Sequence, residues 1–289
     1  MTGYKEKLHT KIIRVLIPLF VYIPVSLLSA VSFTIILTLL SSVLKAAGLS
    51  GISEADMLMW VNALSSLPVC LISAVLYIND NKKRKYRWAY DEGAARTSLP
   101  HKGLIVLSGI LMCVFGNYLI NLFPLEEMSE GFKEVNEAIN NSGILTALVS
   151  TAVVAPVCEE LLMRGLLYRR LRDYTGFMTS ALLSSLLFGI IHMNIVQFIY
   201  AFLAGMVFAY IYERYQSVKA SIICHSVANI SSFLLGILFA LTGEEGPKVT
   251  AVIVISFIML GLTMAAIYRV VEYREIVYYG CGDQKPDQT

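Results

Sequence analysis

Six residues of this chain, Glu159, Glu160, Arg164, His192, His225 and Asn229, are set in stretches otherwise apolar enough to lie in a lipid bilayer. An ionisable side chain near the bilayer centre costs about 2.5–3.5 kcal/mol on insertion scales, so several of them in neighbouring spans must pair with one another or line a wet cavity. Glu160 and Arg164 are four apart and share one helix face, where they can form an ion pair. Glu159 is turned about 100° from Glu160 and is free for another partner. His225 and Asn229 repeat the four-residue spacing on a later segment. The chain has four histidines, and two of them are in this set. A carboxylate and an imidazole meeting in a low-dielectric cavity can polarise water and accept its proton. Glu159, His192 and His225 could instead ligate one divalent metal, zinc among the possibilities. No HExxH run is present, which excludes a zincin helix.

These residues require long apolar helices to position them, and on a ruler of about 20 residues per span the sequence gives eight: 16–44, 57–78, 104–123, 144–167, 176–195, 197–212, 218–241 and 249–270. The loops carry the matching charge bias. Lys5, Lys7, Lys11 and Arg14 precede the first span; Lys82, Lys83, Arg84, Lys85, Arg87, Arg96 and Lys102 follow the second; Arg169, Arg170 and Arg172 follow the fourth; Arg214 and Lys219 follow the sixth. The intervening loops are acidic, with Glu54 and Asp56, then Glu126, Glu127, Glu130, Glu134 and Glu137, then Glu244 and Glu245. Basic loops belong to the cytoplasm, so both termini are expected there. Helical rise sets Glu159 and His192 roughly 22 and 27 Å above a turn at Tyr174. If Arg169, Arg170 and Arg172 sit in water, the helices protrude and the site falls in the cytoplasmic half of the membrane.

Composition agrees with a membrane protein: 56% of the 289 residues are hydrophobic and 15% charged, too apolar for a soluble domain. A net charge of +2 gives no reason to expect a nucleic-acid partner. Cys70, Cys113, Cys158, Cys224 and Cys281 show no CxxC spacing, so neither a disulfide framework nor a cysteine zinc knuckle is expected. The apolar run after Arg14 is too long for a signal peptide and reads as a retained anchor. The loops 79–103 and 124–143 are long enough for a short helix each, and 280–289 reads as a loose polar tail. Residues 1–289 therefore form a single all-α, polytopic membrane domain.

Glu159-Glu160-x-x-x-Arg164, Phe188-x-x-x-His192 and His225-x-x-x-Asn229, in that order on successive spans, resemble the three motifs of the CPBP family of intramembrane proteases, which includes the Rce1-type CAAX prenyl endopeptidases. The resemblance covers residues 140–240. It implies an eight-helix fold with a catalytic core opening toward the cytoplasm, in which Glu159 and His192 activate water while Glu160, His225 and Asn229 support the site or an oxyanion. It leaves open a glutamate or a metalloprotease mechanism, with no cofactor or one divalent metal. The expected function is an endopeptidase acting on a peptide or membrane-protein substrate at the bilayer. The alternative is a non-catalytic protein of the bacteriocin-immunity or scaffolding kind. A transporter would need paired broken helices with inverted-repeat symmetry, which the sequence lacks.

Overall fold

The computed structural model describes residues 7–88, 99–122, 129–242 and 250–271. Loop positions 89–98, 123–128 and 243–249 and the tail 280–289, with the charges assigned to them above, lie outside the described residues. Among the described residues every regular element is helical, as hydrocarbon demands, because a helix satisfies its own backbone groups where there is no water to do so. In chain order these are α1 (Leu8–Ala46), α2 (Glu54–Trp88), α3 (Leu99–Leu122), α4 (Glu130–Asn141), α5 (Ile144–Arg172), α6 (Phe177–Ile190), α7 (Ile195–Tyr215), α8 (Val218–Thr242) and α9 (Thr250–Val270). α4 is the short helix allowed for in the third loop. Its N-cap Ser129 accepts from Phe132 N at 3.3 Å, and Phe132 and Ala138 are buried on its inner face.

Seven of these helices are long and apolar enough to cross a bilayer. The exceptions are the short, polar α4 and α6, which was expected to span. The sequence predicts a span over 176–195, but the helix stops at Ile190 after 14 residues, about 21 Å of rise against the roughly 30 Å of a hydrocarbon core. Met193 takes a left-handed φ of 59°, and Asn194 caps α7 by accepting from Gln197 N at 2.8 Å. A continuous apolar run thus hides a chain break, and His192 lies in that break.

α5 runs through the middle of the bundle, and its residues from Leu162 to Tyr168 are all buried. Around it pack the hairpins α1–α2 and α6–α7, with α3 lying against α8 and α9. At one end of the bundle, ion pairs join α1, α2, the α5–α6 turn and α7. Arg14 meets Asp173 at 3.1 Å, Arg170 meets Asp80 at 2.7 Å and Arg172 meets Glu213 at 2.7 Å. Tyr168 donates to Glu213 at 2.6 Å, and Arg169 bonds Asn81. This corrects the expectation that Arg169, Arg170 and Arg172 sit in water. Arg169 and Arg170 are only 2% and 5% exposed, because each guanidinium finds an acceptor from another helix that compensates its desolvation.

Candidate active site

α5 is not a uniform α-helix. Two π-helical stretches, Leu148–Val154 and Leu161–Tyr168, flank the α-helical turn Ala155–Glu160 that carries both glutamates. π stretches are rare and tend to mark functional positions, since the widened turn re-aims side chains. Here the first one has an identifiable consequence. The Ala155 N–H bonds Ser150 O, in π register, and the next residue, Pro156, has no N–H to give. The Thr151 carbonyl is left over. Asn229 Nδ2, from α8, donates to it at 2.7 Å.

Glu160 and Arg164 pair as their spacing implies, at 2.8 Å, with both side chains completely buried. Arg164 also donates to Gly205 O of α7 at 2.8 Å. Its guanidinium lies over Phe188 and Phe208, 4.9 and 5.3 Å from the ring centroids. A Cβ on Gly205 would lie 2.9 Å from Ser185 Cβ and 3.1 Å from Arg164 Nη2, so that position needs glycine for the helices to approach.

His225 joins the two glutamates. Its Nδ1 is 3.0 Å from Glu160 Oε1 and its Nε2 is 3.8 Å from Glu159 Oε2. The ring stacks on Phe208 at 4.6 Å and meets the edge of Phe188 at 5.9 Å. With a carboxylate oxygen accepting at Nδ1, that nitrogen carries the proton and Nε2 faces Glu159 across a gap too long for a direct hydrogen bond. Such a gap suits a shared water. His192 has a similar tautomer, fixed differently. Its Nδ1 is 2.7 Å from Phe188 O, which can only accept, so Nε2 presents a lone pair. His192 also packs edge-on to Phe188 at 4.9 Å.

Glu159 is the partly exposed member, its side chain 26% accessible. It borders a cavity of about 50 Å³ lined also by Tyr22, Asn62, Ala63, Ser66, Val69, Ser150, Ala155 and Cys158, room for a few waters. Of the six residues singled out in the sequence, Glu159, Glu160, Arg164 and His225 form one connected cluster. His192 joins it only through Phe188, and Asn229 serves the backbone of α5. Rise along α5 sets Glu159 about 20 Å from Arg172 and about 22 Å from Ile144, near mid-span. Sequence reasoning missed Phe208, Gly205, Tyr22 and Asn62. Only Asn62, a carboxamide in an apolar run, carried a signal.

As to metal, Glu159, His192 and His225 would have to converge. Among the described residues no group of three His, Cys, Asp or Glu side chains is gathered as a metal site.

The fold and cluster define a multi-pass, all-α membrane protein with a buried carboxylate–imidazole site. Residues 141–231 match the family model described as type II CAAX prenyl endopeptidase Rce1-like. A curated protein of Bacillus subtilis (strain 168) named "Putative membrane peptidase YdiL" is 22% identical over 169 residues. The match covers 57% of this chain and 66% of that relative, just short of two thirds of its length. No solved structure matches. Both matches support the resemblance of this region to the CPBP family of Rce1-type membrane proteins.

Proposed function

We propose that this protein is an intramembrane endopeptidase that hydrolyses a peptide bond of a membrane-associated substrate with Glu159-activated water. The observation that carries the reading is the cluster itself: a water-accessible Glu159 faces His225 Nε2 at 3.8 Å, and His225 is held from behind by the buried Glu160–Arg164 pair. In this reading a cavity water gives a proton to Glu159 as its oxygen attacks the carbonyl carbon. The C–N bond then breaks and the leaving nitrogen takes a proton back from the site. His225, oriented by Glu160, shares the proton held by Glu159, much as a carboxylate orients a catalytic imidazole elsewhere. His192 offers its free Nε2 to the same water or to the leaving group, and Asn229 keeps α5 in register.

The test is a comparison of peptides released in membranes holding the wild-type chain or Glu159→Ala. A set of cleavage products should disappear in the variant, with the rate for any one product reduced at least about 100-fold. Identical peptide sets would overturn the hydrolase reading in favour of a binding role. Because the candidate donor set is not gathered, a divalent-metal chelator should leave cleavage unchanged. Loss of activity on chelation and its return with added zinc would assign a metal mechanism instead.

A further inference from the structure

The family match begins at residue 141, yet α1 and α2 supply more than half of the cavity beside Glu159: Tyr22, Asn62, Ala63, Ser66 and Val69. Their polar groups differ in what they already bond. Ser66 Oγ donates to Ala63 O at 2.7 Å and Ser150 Oγ to Thr146 O at 2.6 Å, both satisfied within their own helices. Only the backbone carbonyl of Asn62 is taken, by Ser65 Oγ at 3.0 Å. Among the described residues, the Asn62 carboxamide and the Tyr22 hydroxyl have no intramolecular hydrogen bond. In a membrane span such groups are costly unless something else bonds them. A carboxamide offers two donors and an acceptor, the complement of a peptide main chain, which in an extended segment has both N–H and C=O to satisfy.

Position supports a polypeptide over water alone. The Cys158 thiol, next to Glu159, contacts Ser66 and Cys70 of α2, so Glu159 is level with that stretch. Asn62 is four to eight residues earlier in α2, about 6–12 Å along its axis. An extended chain advances about 3.3 Å per residue, so that offset spans two to four substrate residues. We propose that Asn62 hydrogen-bonds the main chain of an extended substrate two to four residues from the scissile bond, assisted by the Tyr22 hydroxyl that lines the same cavity. The α1–α2 hairpin is then the substrate-holding half of the site and α5–α8 the water-activating half.

This inference rests on the endopeptidase reading, and the experiment separates the two. Products that depend on Glu159 are first identified in membranes, and a synthetic peptide spanning the most abundant site serves as the probe for the purified full chain. Asn62→Leu should raise KM about fivefold to tenfold with kcat little changed, the pattern of lost uniform binding through one hydrogen bond. Its melting temperature should not fall, since Asn62 holds nothing within the protein. Tyr22→Phe, which removes a single oxygen, should act in the same direction, and Asn62→Gln should recover part of the loss. An unchanged KM in both Asn62→Leu and Tyr22→Phe, or a KM change that tracks a lowered melting temperature, overturns the proposal while leaving the hydrolase reading intact. If no product depends on Glu159, that reading fails and this inference falls with it.

Discussion

Two adjacent glutamates do different work because their surroundings differ. Glu159 lines the cavity, whereas Glu160 is fully buried against Arg164 and His225, which themselves pack on the rings of Phe188 and Phe208. A buried charge is tolerated only when paired, and removing one partner of such a pair costs about 3–5 kcal/mol. Arg164→Ala takes from Glu160 its cationic partner and from Gly205 O its side-chain donor, leaving His225 as the remaining partner of Glu160. It should therefore lower the melting temperature in detergent by several degrees as well as end cleavage. Arg164→Lys should rescue little, since an ammonium cannot reach Glu160 and Gly205 O together while stacking on two aromatic rings. A melting profile for Arg164→Ala that matches wild type would show that Glu160 is held by other means. Glu159→Gln, in contrast, should stop cleavage with no loss of stability.

At the scale of the helix, Asn229 and Pro156 act as one device. Pro156 withholds an N–H, the π register diverts that of Ala155, and Asn229 supplies the missing donor to Thr151 O. Asn229→Ala should thus cost about 1 kcal/mol, the lower end of the penalty for leaving a part-buried acceptor without its donor. Adding Pro156→Ala should restore part of that stability by returning an N–H to α5. A double variant no more stable than Asn229→Ala alone would break the link. Gly205→Ala tests the same packing from α7 and should lower stability and activity together, as its Cβ would press on Ser185 and Arg164. These devices mark how far the sequence can be read. The pair Glu160–Arg164 was legible because four-residue spacing fixes a shared face. The partner of Asn229 was not, because it depends on a π register that periodicity does not reveal. In sequence His192 falls inside the span 176–195, near its end, and the helix break before it appears only with the left-handed Met193. Phe208 and Gly205 are indistinguishable in sequence from ordinary membrane packing residues.

At the scale of the molecule, the bundle sorts its ends consistently. Arg14, Asp80, Arg170, Asp173, Glu213 and Arg214 gather at one end, where Arg214 also donates to Tyr268 O and Val271 O at the close of α9. Asp56 accepts from Gly143 N at 2.8 Å at the other, near the approach of Gly131 to Asn194. Among the described residues, the helix ends at Arg14, Asp80, Arg170 and Arg214, which flank basic loops, thus lie at the first end, and those at Asp56 and Gly143, which flank acidic loops, lie at the second. The arrangement follows from helix order alone and carries no sign. The sign comes from the lysines and arginines that border the first end, which are held back from translocation. We therefore expect both termini in the cytoplasm. Fluorescent-protein fusions at residues 1 and 289 should fluoresce, and a phosphatase inserted after Gly143, near the opposite end, should be active only if that end is exported. Phosphatase activity at either terminus, with none at Gly143, would invert the protein and bring the Asn62 side of the Glu159 cavity to face the cytoplasm.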